Sequence, residues 1–335
     1  MINVGIVGYG YWGPNLVRNF QNAKAATVRA VCDLSPANHA RVHALYPAIE
    51  TCDDALAMSK RHDLDAIVIA TPVSTHFELA MAALRHDKHV LIEKPMTQTV
   101  REAQALIDEA ARRNKILMVD HTFVYTGAVR KIRSLVKDGD LGDVLYYDSV
   151  RINLGLFQHD VNVLCDLATH DIAIMSHIVP HRACAVSATG ISHIAGEPEN
   201  TAYLTVFFDG NCIGHIHANW LSPVKIRHTL AGGSRRMVVY NDLDPSESVK
   251  VYDRGVTVTT NRESVYEMLI SYRSGDMLAP QIDRTEALQR ETSHFLDCIT
   301  TGETPVSDGH AGLDVVRILE AATTSMADRG RPVEI

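Results

Sequence analysis

Three short stretches carry the residue types that chemistry needs. Gly8-Tyr9-Gly10-Tyr11-Trp12-Gly13 follows an apolar run and opens a helical pattern; Glu93-Lys94-Pro95 closes a later apolar run. Asp166 and His170 stand four positions apart in a helical stretch. A G-x-G-x-x-G loop between strand and helix suits a pyrophosphate. The first glycine permits the tight turn, the second lets backbone approach the phosphates, and the third lets helix pack on strand. The helix start adds free N–H groups and a positive dipole end. Asp33 comes twenty positions after Gly13, at the end of the second expected strand. A carboxylate there accepts ribose hydroxyls and repels a 2′-phosphate. No arginine follows, since the next residues are Leu34-Ser35-Pro36. The pattern favours NAD over NADP. The alternative is a turn aspartate capping the helix that follows.

Ala70-Thr71-Pro72 ends a strand where open parallel sheets bind ligands. With Tyr11, Trp12, His76 and Glu93 it completes the expected cofactor contacts. Lys94 emerges at the same sheet edge, where an ammonium stabilises charge on an oxygen passing between alcohol and ketone. Alone, the tripeptide reads equally as a surface lysine beside a loop. On a helix, Asp166 and His170 share a face, a turn apart. The histidine accepts an alcohol proton and the aspartate orients it or grips a second hydroxyl. The chain has 17 histidines, so an ordinary helix histidine is the competing reading. His215-Ile216-His217 lacks a third ligand, and no metal is expected. Gly232-Gly233-Ser234 reads as a turn, and no nucleophile-elbow sequence supports a serine hydrolase. Lys225, Arg227, Arg235 and Arg236 suit either a substrate phosphate or a solvated strand face.

These residues need a scaffold. Strand patterns fall at Ile2–Val7, Thr27–Cys32, Asp65–Ala70, His89–Ile92 and Ile116–Asp120, with helical patterns at 13–21, 36–46, 74–86 and 99–113. That alternation predicts a doubly wound parallel sheet over residues 1–120. From 121 to 335 the rhythm changes. Helices near 126–137, 163–178, 285–300 and 311–326 flank several strands, with Asp209-Gly210-Asn211 as a hairpin turn. An α+β domain with a large open mixed or antiparallel sheet is expected there, its final helices returning to the first domain.

Composition bounds the rest. The 335 residues are 46% hydrophobic and 21% charged, enough for two cores. Thirty-two basic against forty acidic residues give a net charge of −8, against nucleic acid or an anionic membrane as partner. No apolar run reaches the roughly 18–20 residues of a membrane span. Residues 2–8 already read as strand and turn, so no signal peptide is expected. The six cysteines show no C-x-x-C pair, which fits free thiols in a cytoplasmic protein.

The ordered set Gly8-x-Gly10-x-x-Gly13, Asp33, Ala70-Thr71-Pro72 with His76, Glu93-Lys94-Pro95 and Asp166-x-x-x-His170 resembles the glucose–fructose oxidoreductase / inositol dehydrogenase / rhizopine catabolism family (Gfo/Idh/MocA). The resemblance covers essentially the whole chain, including His294-Phe295-Leu296-Asp297 and Thr301-Gly302-Glu303-Thr304-Pro305. It implies a Rossmann domain joined to an α/β domain whose open sheet forms a homodimer or homotetramer. It also implies reversible hydride transfer between nicotinamide and a carbinol carbon of a sugar or cyclitol. By motif, Lys94 is the catalytic lysine, His170 the proton-exchanging histidine and Asp166 the aspartate that grips substrate or orients the histidine. Ala168 stands where the family often has glycine.

The segments Tyr9–Phe20 and Asn162–Leu167 look like members that oxidise C3 of UDP-N-acetylglucosamine-type nucleotide sugars, although Cys165 replaces the tryptophan of that pattern. Arg151, Asn153, Asn162, Lys225 and Arg227 are the accompanying substrate contacts, beside Lys94, Asp166 and His170. Competing functions are a cyclitol or free-sugar dehydrogenase or ketoreductase, and a catalytically silent NAD-binding regulator. Cofactor and Lys94 come from before residue 120, Asp166 and His170 from after it. The expected site therefore lies between the two domains.

Overall fold

Every long apolar run of the first 120 residues becomes a strand, and every amphipathic stretch between them a helix. The computed structural model describes residues 1–155, 157–253, 255–258, 270–273 and 275–335, with backbone alone for 255–258 and 270–273. In chain order come β1 (Ile2–Val7), α1 (Gly13–Asn22), β2 (Ala26–Cys32), α2 (Pro36–Leu45), β3 (Glu50–Cys52) and α3 (Ala55–Ser59). Next are β4 (Ala66–Ile69), α4 (Val73–Arg85), β5 (His89–Glu93), α5 (Val100–Arg113) and β6 (Leu117–Asp120). The strands form one parallel sheet in the order β3-β2-β1-β4-β5-β6. Helices cover both faces, so central strands are apolar throughout; all four residues of β4 are buried.

The order reverses between β1 and β4, and this switch point leaves a crevice at their C-terminal ends. Gly8 and Ala70-Thr71-Pro72 stand there. α5 carries the most complete local signal. Thr99 and Glu102 form a capping box at its start, and Asn114 takes the left-handed conformation (φ +52°) at its end. The sequence reading lacks β3 and α3. At three and five residues, they are too short for periodicity to register.

The second unit comprises Thr126–Arg284 and Ala321–Ile335. It begins with α6 (Gly127–Lys137), β7 (Val144–Leu154), a π-helical turn (Leu164–Ala168) and α7 (Thr169–Ile178). β8 (Ala183–Ile191), β9 (Thr201–Phe208), β10 (Ile213–Asn219), β11 (Leu221–Gly233), β12 (Met237–Asn241) and β13 (Val249–Tyr252) follow. β14 (Gly255–Val258) and β15 (Ile270–Arg273) pair as a separate two-stranded sheet, and β16 (Met277–Leu278) returns to the main one. The final elements are α8 (Ala287–Thr301), α9 (Gly309–Ala327) and β17 (Val333–Glu334).

The main sheet has nine strands in the order β16-β13-β12-β11-β7-β10-β9-β8-β17. It is mixed, because β7 and β10 run parallel while their outer neighbours run antiparallel. The Asp209–Asn211 turn joins β9 to β10 as a hairpin, as its sequence predicts. Alternation along β9 and β10 buries Leu204, Val206 and Ile216 on one face and leaves Tyr203, Phe207 and Ile213 on the open face.

Residues Thr285–Glu320 group with Met1–Tyr125, so the first unit takes in α8 and the greater part of α9. Phe295 of α8 packs edge-on against Phe20 of α1, with centroids 6.3 Å apart. No described helix is long and apolar enough to cross a membrane.

Candidate active site

The glycine loop is built by contacts that exclude side chains. Gly8 has φ +94°, and a Cβ on it would lie 2.4 Å from the Ala70 carbonyl oxygen. A Cβ on Gly13 would lie 2.1 Å from the Gly8 oxygen, whereas one on Gly10 would meet nothing within 4 Å. Gly8 and Gly13 therefore hold the turn closed, while Gly10 leaves open space for a phosphate. Trp12 occupies the N-cap position of α1 and makes no capping bond with its side chain; Pro14 carries no N–H, and Asn15 N donates to the Trp12 carbonyl at 2.9 Å. The loop fits the dinucleotide that its sequence predicts.

A cavity of about 570 Å³ continues from Gly8 and Gly10 past Asp33 to Thr71, Pro72 and Thr75. Asp33 accepts hydrogen bonds from Tyr9 N (2.7 Å), Ser35 N (2.8 Å) and Asn38 Nδ2 (3.0 Å). Burial opposes its charge, but these bonds and the nearby His39 outweigh that and lower its pKa. The fixed negative charge suits ribose hydroxyls. Asp53 and Asp54 line the same cavity, and sequence reasoning missed both because they follow the three-residue β3. Tyr11 is 90% exposed beside the loop.

His76 is buried, its ring lying between the carbonyl oxygens of Thr71 (2.8 Å) and Pro95 (2.9 Å). It reaches neither cavity nor solvent with a free nitrogen. Its place is to tie the start of α4 to the turn after Lys94, so its expected cofactor contact is indirect.

The Lys94–Pro95 peptide is cis, and Lys94 N donates to Glu93 Oε2 at 3.1 Å. The Glu93 carboxyl turns inward to Asp120, its register partner on β6. Burial and then the Asp120 charge raise the Glu93 pKa well above the usual carboxylate range. Glu93 is thus placed for the interior. Asp120 accepts from Trp12 Nε1 at 2.9 Å and from the Thr122 hydroxyl, and Glu291 of α8 joins it. Asp120 closes the predicted strand 116–120, a usable signal; Glu291 has none.

In the second unit, the helix predicted from residue 163 opens as a π turn, with α7 starting only at Thr169. Such insertions cluster at functional sites. Asn162 Oδ1 caps the turn by accepting from Leu164 N and Cys165 N, both at 3.1 Å. Asp166 Oδ2 accepts from Trp220 Nε1 at 3.0 Å, which fixes that carboxylate. Asp166 and His170 are both partly exposed and flank the passage from π to α winding.

The remaining expected contacts divide. Arg151 is 2% exposed and gives its guanidinium to Asp171, Nε to Oδ2 at 2.5 Å and Nη2 to Oδ1 at 3.3 Å. It is a buried ion-pair partner of Asp171, which departs from its reading as a substrate contact. A strand pattern shows which face a residue shares, not which helix covers that face. Arg227, its register partner on β11, donates to Asp242 at 3.0 Å and stays partly exposed. Asn153 is partly exposed and Lys225 exposed. His217 stacks on Tyr203 at 4.4 Å on the open sheet face.

Fold and cradle together define an NAD-dependent oxidoreductase. Residues 2–121 match the oxidoreductase family's NAD-binding Rossmann fold, and residues 133–335 its C-terminal alpha/beta domain. The chain belongs to the Gfo/Idh/MocA family. Among relatives, the uncharacterized oxidoreductase YdgJ of Escherichia coli is 32% identical over 148 residues, 44% of this chain and 42% of that protein. A scyllo-inositol 2-dehydrogenase (NAD(+)) of Bacillus subtilis is 24% identical across 100% of this chain and 95% of its own length. A UDP-N-acetylglucosamine 3-dehydrogenase of Acidithiobacillus ferrooxidans is 25% identical over 96% of this chain and 95% of its own. The solved structure of the latter superposes with a TM-score of 0.82 at 21% identity, covering 97% of this chain and 98% of that one.

Proposed function

We propose that the protein oxidises a secondary hydroxyl, at C3, of a UDP-N-acetylglucosamine-type nucleotide sugar to a ketone. The observation that carries this reading is the alignment with a UDP-N-acetylglucosamine 3-dehydrogenase along nearly the full length of both chains. The resemblance at Tyr9–Phe20 and Asn162–Leu167 supports it. NAD, when bound, supplies the acceptor for the carbinol hydride. Lys94 polarises the substrate oxygen, and His170 takes its proton as the carbon is oxidised. Asp166, steadied by Trp220, grips a neighbouring hydroxyl or orients the imidazole. Asn153, Lys225 and Arg227 are the polar groups assigned to the rest of the substrate, with Arg227 suited to a phosphate.

A second reading, a cyclitol or free-sugar dehydrogenase with the same catalytic groups, is supported by the scyllo-inositol relative that aligns along the whole chain. NADH formation over a panel of UDP-sugars, inositols and free hexoses separates the two. Turnover of UDP-N-acetylglucosamine at least about tenfold more efficient than of any inositol supports the nucleotide-sugar reading. The reverse order overturns it, and no turnover with tight NAD binding would indicate a silent regulator. We infer a cytoplasmic location, which the six free cysteines support. It assembles as a dimer or tetramer through the open sheet face, where Tyr203 (45%), Phe207 (38%) and Ile213 (46%) are exposed. Light scattering of the purified protein tests that assembly.

A further inference from the structure

The cofactor cradle and Lys94 turn are linked through a carboxyl cluster that the proposed chemistry does not use. β5 and β6 run parallel with Glu93 opposite Asp120, and α8 brings Glu291, 0% exposed, against them. Trp12 Nε1 donates to Asp120 Oδ2 at 2.9 Å, and Thr122 gives its single hydroxyl proton to Asp120 Oδ1. Glu93 Oε1 and both Glu291 oxygens are buried without a donor of their own among the described residues, the Thr122 hydroxyl being near enough to Glu291 to oppose its raised pKa. Three carboxylates cannot all ionise in such a space. Asp120 collects the Trp12 and Thr122 donors, and Glu93 and Glu291, which keep their protons, stand where they can donate to it. Burial first, and the Asp120 charge second, push both glutamates well up. The other titratable groups facing the cluster are Lys94, His121 and Tyr125; burial and then the Glu291 charge push the Tyr125 phenol up. Burial drives the His121 pKa down to about 4, leaving that ring neutral.

Each end of this cluster holds a functional segment. Trp12 is the last loop residue before α1, and Glu93 Oε2 accepts the Lys94 backbone N–H at 3.1 Å. We propose that Asp120 is a positioning residue. It ties the Trp12 end of the glycine loop to the Glu93-Lys94 turn, so that cofactor binding and the lie of Lys94 change together. This rests on the reading of Lys94 as the group that polarises the substrate oxygen. A buried carboxylate held by the Trp12 and Thr122 donors and flanked by two glutamates has few low-energy arrangements, and a small displacement of a reacting group is costly in rate.

The test compares Asp120→Asn with Glu291→Gln in the full chain. The chain has two tryptophans, so two indole N–H resonances report in a ¹⁵N-labelled sample. Asp120→Asn is expected to move the Trp12 resonance and leave that of Trp220 in place. It should weaken NADH binding by about fivefold and lower kcat by about tenfold or more. Glu291→Gln retains an N–H donor toward Asp120 and should keep both resonances, NADH affinity and kcat within about twofold of wild type. Should Asp120→Asn not fold, Thr122→Val removes one donor and should move the Trp12 resonance and NADH affinity in the same direction. The proposal is overturned if these aspartate or threonine changes leave both readouts unmoved, or if Glu291→Gln loses as much as Asp120→Asn. The resonance and NADH binding need no substrate. They judge the tie even if Lys94→Ala retains turnover and the catalytic reading fails.

Discussion

Arg151 and Asp171 form a two-pronged ion pair, 2% exposed on either side, one residue beyond His170. Ser149 Oγ donates to the same carboxylate at 2.6 Å, and Tyr147 OH donates to the Asp171 carbonyl at 3.2 Å. The first turn of α7 is thus pinned to β7. The turn that carries His170 is anchored next to it by a buried charge pair.

Removing one partner of such a pair strands the other. Arg151→Ala should cost about 3–5 kcal/mol of stability, whereas replacing both partners with apolar residues of similar size should restore most of it. Urea denaturation of Arg151→Ala and of Arg151→Met/Asp171→Leu measures this. A single variant as stable as wild type would show that the pair holds nothing in place.

Lys94→Ala and His170→Ala should each lower turnover by about 10²–10⁴-fold, the usual range for losing a general acid–base group. NADH fluorescence titration should give affinities close to wild type in both. Undiminished turnover in either variant removes that residue from the mechanism.

Two glycines separate folding from binding. A Cβ on Gly10 meets no neighbour within 4 Å, so Gly10→Ala should fold normally and bind NAD more weakly. Gly13→Ala places a methyl 2.1 Å from the Gly8 oxygen and should lower the melting temperature itself. Differential scanning fluorimetry with and without NAD distinguishes the two outcomes.

Cofactor choice should resist a single change. Asp33→Ser removes one carboxylate from the ribose end, but Asp53 and Asp54 still line the same cavity. NAD affinity should fall by about tenfold or more, since a charged hydrogen-bond acceptor is lost, while NADP use stays poor. Efficient NADP turnover by this variant would show that Asp33 acts alone.

The carboxyl cluster also sets a pH dependence. Glu291 has a raised pKa in the folded state. The stability it contributes is therefore complete below its unfolded pKa and is lost as pH rises through the folded value. Over that window the unfolded chain binds fewer protons than the native one, so stability falls by up to about 1.4 kcal/mol per pH unit for each such group. Glu291→Gln cannot ionise and should flatten part of that slope above the ordinary glutamate range in urea titrations. An unchanged slope would mean that Glu291 is already ionised in the native protein.

Much of this was legible along the chain. The glycine loop, Asp33 and the Ala70-Thr71-Pro72 segment could be read because each is short and local. Its conformation depends on residues within one strand–turn–helix unit. The strands β1, β2 and β4 to β6 were legible for the same reason, since a parallel sheet buried on both faces demands continuous apolar runs. Local spacing left other things out. Asp166 and His170 read as one α turn apart, and nothing in the pattern marks the π turn that carries Asp166. Arg151 read as a substrate contact, and only the fold brings Asp171 of α7 to it.

By itself the sequence determined the class of fold, the cofactor and the short motifs that carry the chemistry. Those follow from backbone preferences and periodicity, which act between near neighbours. Only the tertiary structure decided the protonation and partnership of the charged groups. Trp12, Glu93, Asp120 and Glu291 meet across nearly the whole length of the chain. Whether a carboxyl is a charge, a donor or an acceptor depends on that company and on the loss of water around it, and no stretch of sequence records either.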